Sequence, residues 1–177
     1  INITLTKDNM EELEDLLNFG KEKNLEVGIQ PVHDLEGGDF SNPTEISMDA
    51  LKKAIKKISK YKNILHQSMD YIQKFPAFLK SPEKLFKKYR CYAGSLLLNI
   101  DPYGNVYPCD AKFTKMGNIY KKNLKQIWKS SQRKNICENI KKGKHPKCWL
   151  NCIAPLNVKM KDSSLLELIK KGKDYSS

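Results

Sequence analysis

All five cysteines of the chain, Cys91, Cys109, Cys137, Cys148 and Cys152, fall within one stretch, and no other feature constrains the fold as strongly. The stretch opens as CYAGSLLLNIDPYGNVYPC and closes as PKCWLNC. Between Cys91 and Cys109 the residues spell a β-hairpin. Ser95 to Ile100 is an apolar, strand-like run, Asp101-Pro102-Tyr103-Gly104-Asn105 is a turn, and Val106-Tyr107-Pro108 returns. Pro102 pre-sets φ at the second turn position, and Gly104 supplies the left-handed conformation that such a turn requires. The fold-back brings Cys109 toward the side at which Cys91 enters. Cys148 and Cys152, separated by three residues around Trp149, offer a second pair of thiolates. Two local thiolate pairs suit a soft metal centre, either zinc or iron–sulfur.

The C-x17-C spacing with its D-P-x-G-x-V-Y-P-C hairpin resembles the auxiliary-cluster extension (the SPASM or twitch domain) of radical S-adenosylmethionine (SAM) enzymes. Gly117-Asn118-Ile119 and then Leu124-x-x-Ile127-Trp128-x-Ser130 resemble the linker between that family's two cysteine groups, and Cys148-Trp149-Leu150-Asn151-Cys152 resembles its closing ligand pair. The resemblance spans residues 89–157 and, with four candidate ligands, is closer to the single-cluster twitch form than to the seven-cysteine SPASM form. It implies that Cys91, Cys109, Cys148 and Cys152 hold one auxiliary [4Fe–4S] cluster for electron transfer or structure near the substrate. The C-x3-C-x2-C motif that holds the SAM-binding cluster of these enzymes does not occur in the sequence. SAM and a second [4Fe–4S] cluster are therefore expected only in a full-length protein, and this chain alone is not expected to start a radical reaction. It begins at Ile1, inside a strand-like run, so further β/α units carrying that motif are expected upstream.

The net charge of +12 raises the question of nucleic acid. Of the 32 basic residues only Arg90 and Arg133 are arginine, which leaves 30 lysines, spread along the chain and mostly on the polar faces of expected helices. Arginine is the usual bidentate reader of bases, so solvated helix faces explain the charge better than a nucleic-acid interface. No apolar run approaches a membrane span of roughly 20 residues, and no secretion signal is visible. Cysteines without such a signal point to a reducing cytoplasm and to metal rather than to a disulfide framework. The alternative to an iron–sulfur domain is a non-enzymatic four-cysteine zinc module that mediates contacts, nucleic acid included. Zinc sites commonly use C-x2-C knuckles, whereas the spacings here are 17 and three residues.

Upstream, Ile1 to Thr6 alternates as a strand, and Asp8 with Glu11 resembles a capping box before the stripe Met10, Leu13, Leu16, Leu17 that ends near Asn24. Leu25 to Val32 is a second strand. Strand–helix–strand with this crossover is a parallel βαβ unit. Two parallel strands alone make a poor sheet, so barrel neighbours or self-association through open edges are the expected partners. By resemblance these are the last two strands of a partial (β/α) barrel. Gln30, His33 and Asp34 then face the site where SAM meets a peptide or small-molecule substrate, since barrel chemistry gathers at the C-terminal strand ends.

Helices are expected from Ser47 (stripe Leu51, Ala54, Ile55, Ile58), over Asn63–Phe75, from Ser81 to Tyr89, over 123–128 and 132–142 with Gly143 as stop, and over 163–171. His66 reads as a surface or packing residue. Cys137 lies beside the apolar face of its helix and reads as a packed thiol, and His145 is a candidate substitute ligand or donor to a cluster sulfur. The fold class is α/β. A C-terminal barrel piece with connecting helices occupies 1–88, a small α+β cluster domain built on the hairpin 89–157, and a helix and tail 158–177.

Overall fold

The computed structural model describes residues 1–33, 46–111 and 114–161. The chain divides into two compact units, Ile1–Leu85 with Lys147–Pro155, and Phe86–Pro146 with Leu156–Ser177.

In the first unit β1 (Asn2–Leu5) and β2 (Gly28–Pro31) pair in parallel, Asn2 opposite Gly28 and Leu5 opposite Pro31, across α1 (Leu13–Glu22). The βαβ reading is therefore correct. The capping box is not: residues 7–12 form turns, and Asn9 holds them by accepting from Thr6 N–H and donating to Thr4 C=O. Asn24, in the left-handed region at φ 51, ends the crossover. Leu13 and Leu17 from α1 bury against the same core as Ile3, Leu5, Val27 and Ile29.

Helix α2 (Met48–Ile58) begins at Ser47, whose hydroxyl accepts from Ala50 N–H, and it buries Leu51, Ala54 and Ile58. A 3-10 segment (Ser59–Ile64) follows, and here the structure departs from the expected helix over Asn63–Phe75. Leu65 is extended and bridges Val27 in parallel, Val27 N–H donates to Ile64 C=O, and His66 N–H donates to Val27 C=O. Backbone pairing to the open edge of β2 outcompetes helical bonds over these residues, as tertiary context can. Gln67, 5% exposed, continues the cover, its Oε1 accepting from Ile29 N–H. The outer edge of β2 is thus occupied from 27 to 29, whereas β1 has β2 as its only strand partner among the described residues. The chain continues through α3 (Met69–Ile72), α4 (Phe75–Lys80) and α5 (Pro82–Phe86), which starts at its proline and stops short of Tyr89.

The second unit carries an antiparallel sheet of β3 (Asn99–Ile100), β4 (Asn105–Tyr107) and β5 (Gly117–Asn118) in that spatial order. The hairpin is as read, with Asn99 opposite Tyr107, but its first strand is shorter. Residues 94–96 turn instead of extending, with Gly94 at φ 69 and Ala93 bridging Leu97. Helix α6 (Leu124–Lys129) opens with a capping box between Asn123 and Gln126. Helix α7 (Ser131–Lys141) ends before Gly143, which takes φ 79. A last described helix, α8, covers Ala154–Lys159. Asp34, most of the loop after His33 and the expected helix over 163–171 lie outside the described residues. No described helix is long and apolar enough to cross a membrane.

Candidate iron–sulfur site

The hairpin that sets Cys91 and Cys109 is built around one carboxylate. Asp101 Oδ1 accepts from the backbone N–H groups of Tyr103 and Asn105, and Oδ2 accepts from Asn105 Nδ2, each at 2.9 Å. Gly104 N–H donates to Asp101 C=O and Asp101 N–H to Asn105 C=O, which closes the turn. Asn118 on β5 ties it from outside, donating to Tyr103 C=O and to Asn105 Oδ1. These side chains satisfy backbone groups that a two-residue strand leaves unpaired.

At the open end of the hairpin, Gly94 N–H donates to both Leu97 C=O and Pro108 C=O at 3.0 Å. That bond joins the segment after Cys91 to the residue before Cys109. Gly94 C=O in turn accepts from Arg133 Nη1 at 2.9 Å and from Cys137 Sγ at 3.2 Å, both on α7. A Cβ at position 94 would lie 3.1 Å from Pro108 Cβ and 3.3 Å from Cys137 Sγ, so glycine is favoured by φ and a side chain there would also press on both neighbours. Arg133 also lies over the Trp128 ring, 4.3 Å from its centroid. Tyr92 N–H donates to Asn157 Oδ1, which fixes the chain next to Cys91. Cys91 and Cys109 are both buried. Cys137 is half-buried, and its thiol donates to Gly94 C=O.

The second pair sits in the first unit, on a loop fastened to the end of β2. Trp149 is fully buried and stacks near-parallel on Tyr71 and Phe78, with centroids 6.0 and 6.3 Å away. Tyr71 Oη donates to Trp149 C=O at 2.8 Å, and Trp149 Nε1 donates back to Tyr71 C=O at 3.3 Å. Trp149 N–H donates to His33 Nε2 at 2.8 Å, and Asn151 N–H donates to Gln30 Oε1 at 3.3 Å. Asn151 Nδ2 reaches Asn2 Oδ1 across Gly28, where a Cβ would lie 2.1 Å from that oxygen. Burial, opposed by a hydrogen bond to the Pro31 backbone, lowers the His33 pKa to about 4, so His33 is neutral and able to accept. Burial first, then the neighbouring Cys152 and Cys148, raises the Tyr71 hydroxyl well above its ordinary value, so it remains a donor. Cys148 is buried and Cys152 exposed.

Gln30 and His33, expected to face SAM and substrate, thus use their acceptor atoms to hold the loop of Cys148 and Cys152. Tyr71 and Phe78 were not singled out from the sequence. Their apolar spacing marks them as core, and nothing local shows that Trp149, some 70 positions on, is what they enclose. His145 packs edge-on to Phe86 in the second unit, centroids 5.3 Å apart, with Nδ1 2.8 Å from Pro146 C=O. His66 is exposed beside Glu26, 3.4 Å away. Among the described residues no three His, Cys, Asp or Glu side chains gather as a metal-holding group. The donor chemistry nonetheless suits iron–sulfur ligation: Cys91 and Cys109 in the second unit, which also holds Cys137, and Cys148 and Cys152 in the first offer thiols, each pair on its own hydrogen-bonded frame.

Comparison with protein families brings the two cysteine pairs under one heading. Residues 91–153 match the family model described as SPASM, an iron–sulfur cluster-binding domain, the type that carries auxiliary clusters in radical SAM enzymes. The match starts at Cys91 and ends one residue past Cys152. No curated protein and no solved structure matches the chain.

Proposed function

We propose that this chain is the C-terminal part of a radical SAM enzyme and that its SPASM-type domain holds one auxiliary [4Fe–4S] cluster through Cys91, Cys109, Cys148 and Cys152. The observation that carries the reading is the iron–sulfur domain match over residues 91–153, which takes in all four of these cysteines. The parallel β1–α1–β2 unit preceding it supports the barrel part of the reading, because parallel strands normally occur covered on both faces within a larger sheet. When bound, a cluster with four cysteine ligands offers outer-sphere electron transfer or structural cross-linking, and leaves no iron open to substrate.

The chain's own residues do the positioning. Asp101, Asn105 and Asn118 hold the hairpin, and Gly94 with Arg133 holds its open end. Tyr71, His33 and Gln30 hold the loop of the second pair. The cytoplasmic setting, the upstream barrel with its SAM-binding cluster, and a peptide or small-molecule substrate belong to the same proposal. Anaerobic reconstitution with iron and sulfide tests it. The expected product is brown, with sulfide-to-iron charge-transfer absorption and an electron paramagnetic resonance signal after reduction. A colourless product that takes up stoichiometric zinc and no sulfide contradicts it and establishes the zinc module instead.

A further inference from the structure

The second unit contains a cavity of about 410 Å³ whose charged lining, among the described residues, is all of one sign. Lys87, Lys88 and Arg90 border it from the segment leading into Cys91, and Lys141 and Lys142 from the end of α7. Among the described residues no Asp or Glu lines it. Phe86 and His145, packed edge to face, form an aromatic wall, and Cys91 also reaches the lining. Lys141 shares its charge with Glu138 on the same helix, 3.9 Å away, and Arg90 lies 5.1 Å from the Tyr92 ring centroid.

A helix C-terminus normally repels anions, because its last carbonyls carry partial negative charge. Here three of the last four carbonyls are occupied: Lys142 N–H donates to Glu138 C=O, Gly143 N–H to Ile140 C=O and Lys144 N–H to Asn139 C=O. The positive φ of Gly143 makes that closure possible. The cations therefore dominate the cavity. Concave walls of low dielectric concentrate such a field more than a flat lysine-bearing face does. The volume lies within the range of small-ligand sites, roughly 300–1,000 Å³.

From the one-sided charge, the capped helix end and the aromatic wall, we infer that this cavity binds a small polyanion of the phosphate-ester or pyrophosphate type. Arg90 supplies a planar fork suited to phosphate oxygens, the lysines supply charge, and Phe86 with His145 borders the uncharged part of the ligand. The inference does not depend on which metal the cysteines hold.

Calorimetric titration with inorganic pyrophosphate at low ionic strength tests it, on the chain before and after loading with iron and sulfide. One saturable site is expected in both preparations. Lys87→Glu with Lys142→Glu is expected to weaken binding at least about tenfold, since charged hydrogen bonds are each of that order. The milder pair Lys87→Gln with Lys142→Gln should act in the same direction, which guards against a folding defect. Lys121→Glu with Lys122→Glu, an equal charge change at exposed positions outside the cavity, should leave the affinity within about twofold, as rim charges away from a site contribute little. Acetate should bind far more weakly than pyrophosphate. Absence of a saturable site, or equal weakening by the 121/122 pair, overturns the inference. Binding abolished by iron–sulfur loading also overturns it, because the cavity would then be the cluster's own space.

Discussion

Replacing Gly104 by alanine separates backbone strain from crowding in the turn that sets the hairpin. Gly104 sits at φ 74, where an L side chain costs about 1–2 kcal/mol. An added Cβ would also lie 2.6 Å and 2.7 Å from Tyr120 ring carbons and 3.0 Å from Ile119 Cγ1. Tyr120, however, is 77% exposed, so its ring can swing into solvent at little cost. Strain should therefore dominate, and Gly104→Ala should destabilise the second unit by about 1–2 kcal/mol, reduced somewhat by the stiffer unfolded chain. For a chain of this length that corresponds to a melting shift of roughly 2–8 °C. Gly104→Asn should cost less than Gly104→Ala, since asparagine tolerates the left-handed region. Tyr120→Ala should not rescue the alanine variant. Hydrogen exchange reads the effect locally at the amides of Met116 and Ile119, whose partners are Val106 C=O and Gly104 C=O. Gly104→Ala as protected as the parent, or rescue by Tyr120→Ala, would refute the reasoning.

The loop of the second cysteine pair makes two further predictions. His33 has a folded pKa near 4 against 6.5, so the unfolded chain binds more protons between those values. The associated stability is complete above about pH 6.5 and is lost as pH falls toward 4, by up to roughly 3 kcal/mol. Urea unfolding at pH 7 and pH 5 should show this loss in the parent and much less of it in His33→Gln; equal slopes would exclude His33 as the source. Tyr71→Phe removes the donor to the buried Trp149 carbonyl and should cost about 1–3 kcal/mol, read from Trp149 fluorescence during unfolding. A neutral Tyr71→Phe would mean that the carbonyl finds another donor.

Local chemistry made much of this molecule readable in advance. Asp-Pro-x-Gly at 101–104 specifies its turn, Ser47 caps its helix, and Gly143 stops α7, all through bonds within a few residues. Long-range competition was not readable. Leu65 has the spacing of a helical core residue, yet it lies extended because β2 offers unpaired backbone groups at Val27. Ser95 to Ile100 looks like a strand, yet Gly94 makes two hydrogen bonds as a turn that the strand would forfeit. The cysteines were legible as candidates because their spacing is local. The use of Gln30 and His33 as acceptors for Trp149 and Asn151 was not, since those partners are more than 100 positions away.

The central claim is that four particular thiols hold one cluster, and iron and sulfide content across the five single cysteine-to-alanine variants tests it most directly. After anaerobic reconstitution the parent should hold four irons and four sulfides per chain, the content of a [4Fe–4S] cluster. Alanine at Cys91, Cys109, Cys148 or Cys152 should remove most of both and destabilise the segment, because metal affinity is coupled to folding there. Cys137→Ala should keep the full content and cost about 1 kcal/mol, for the packed thiol and its contact with Gly94 C=O. Loss of the cluster in Cys137→Ala together with retention in Cys91→Ala would contradict the assignment of the site.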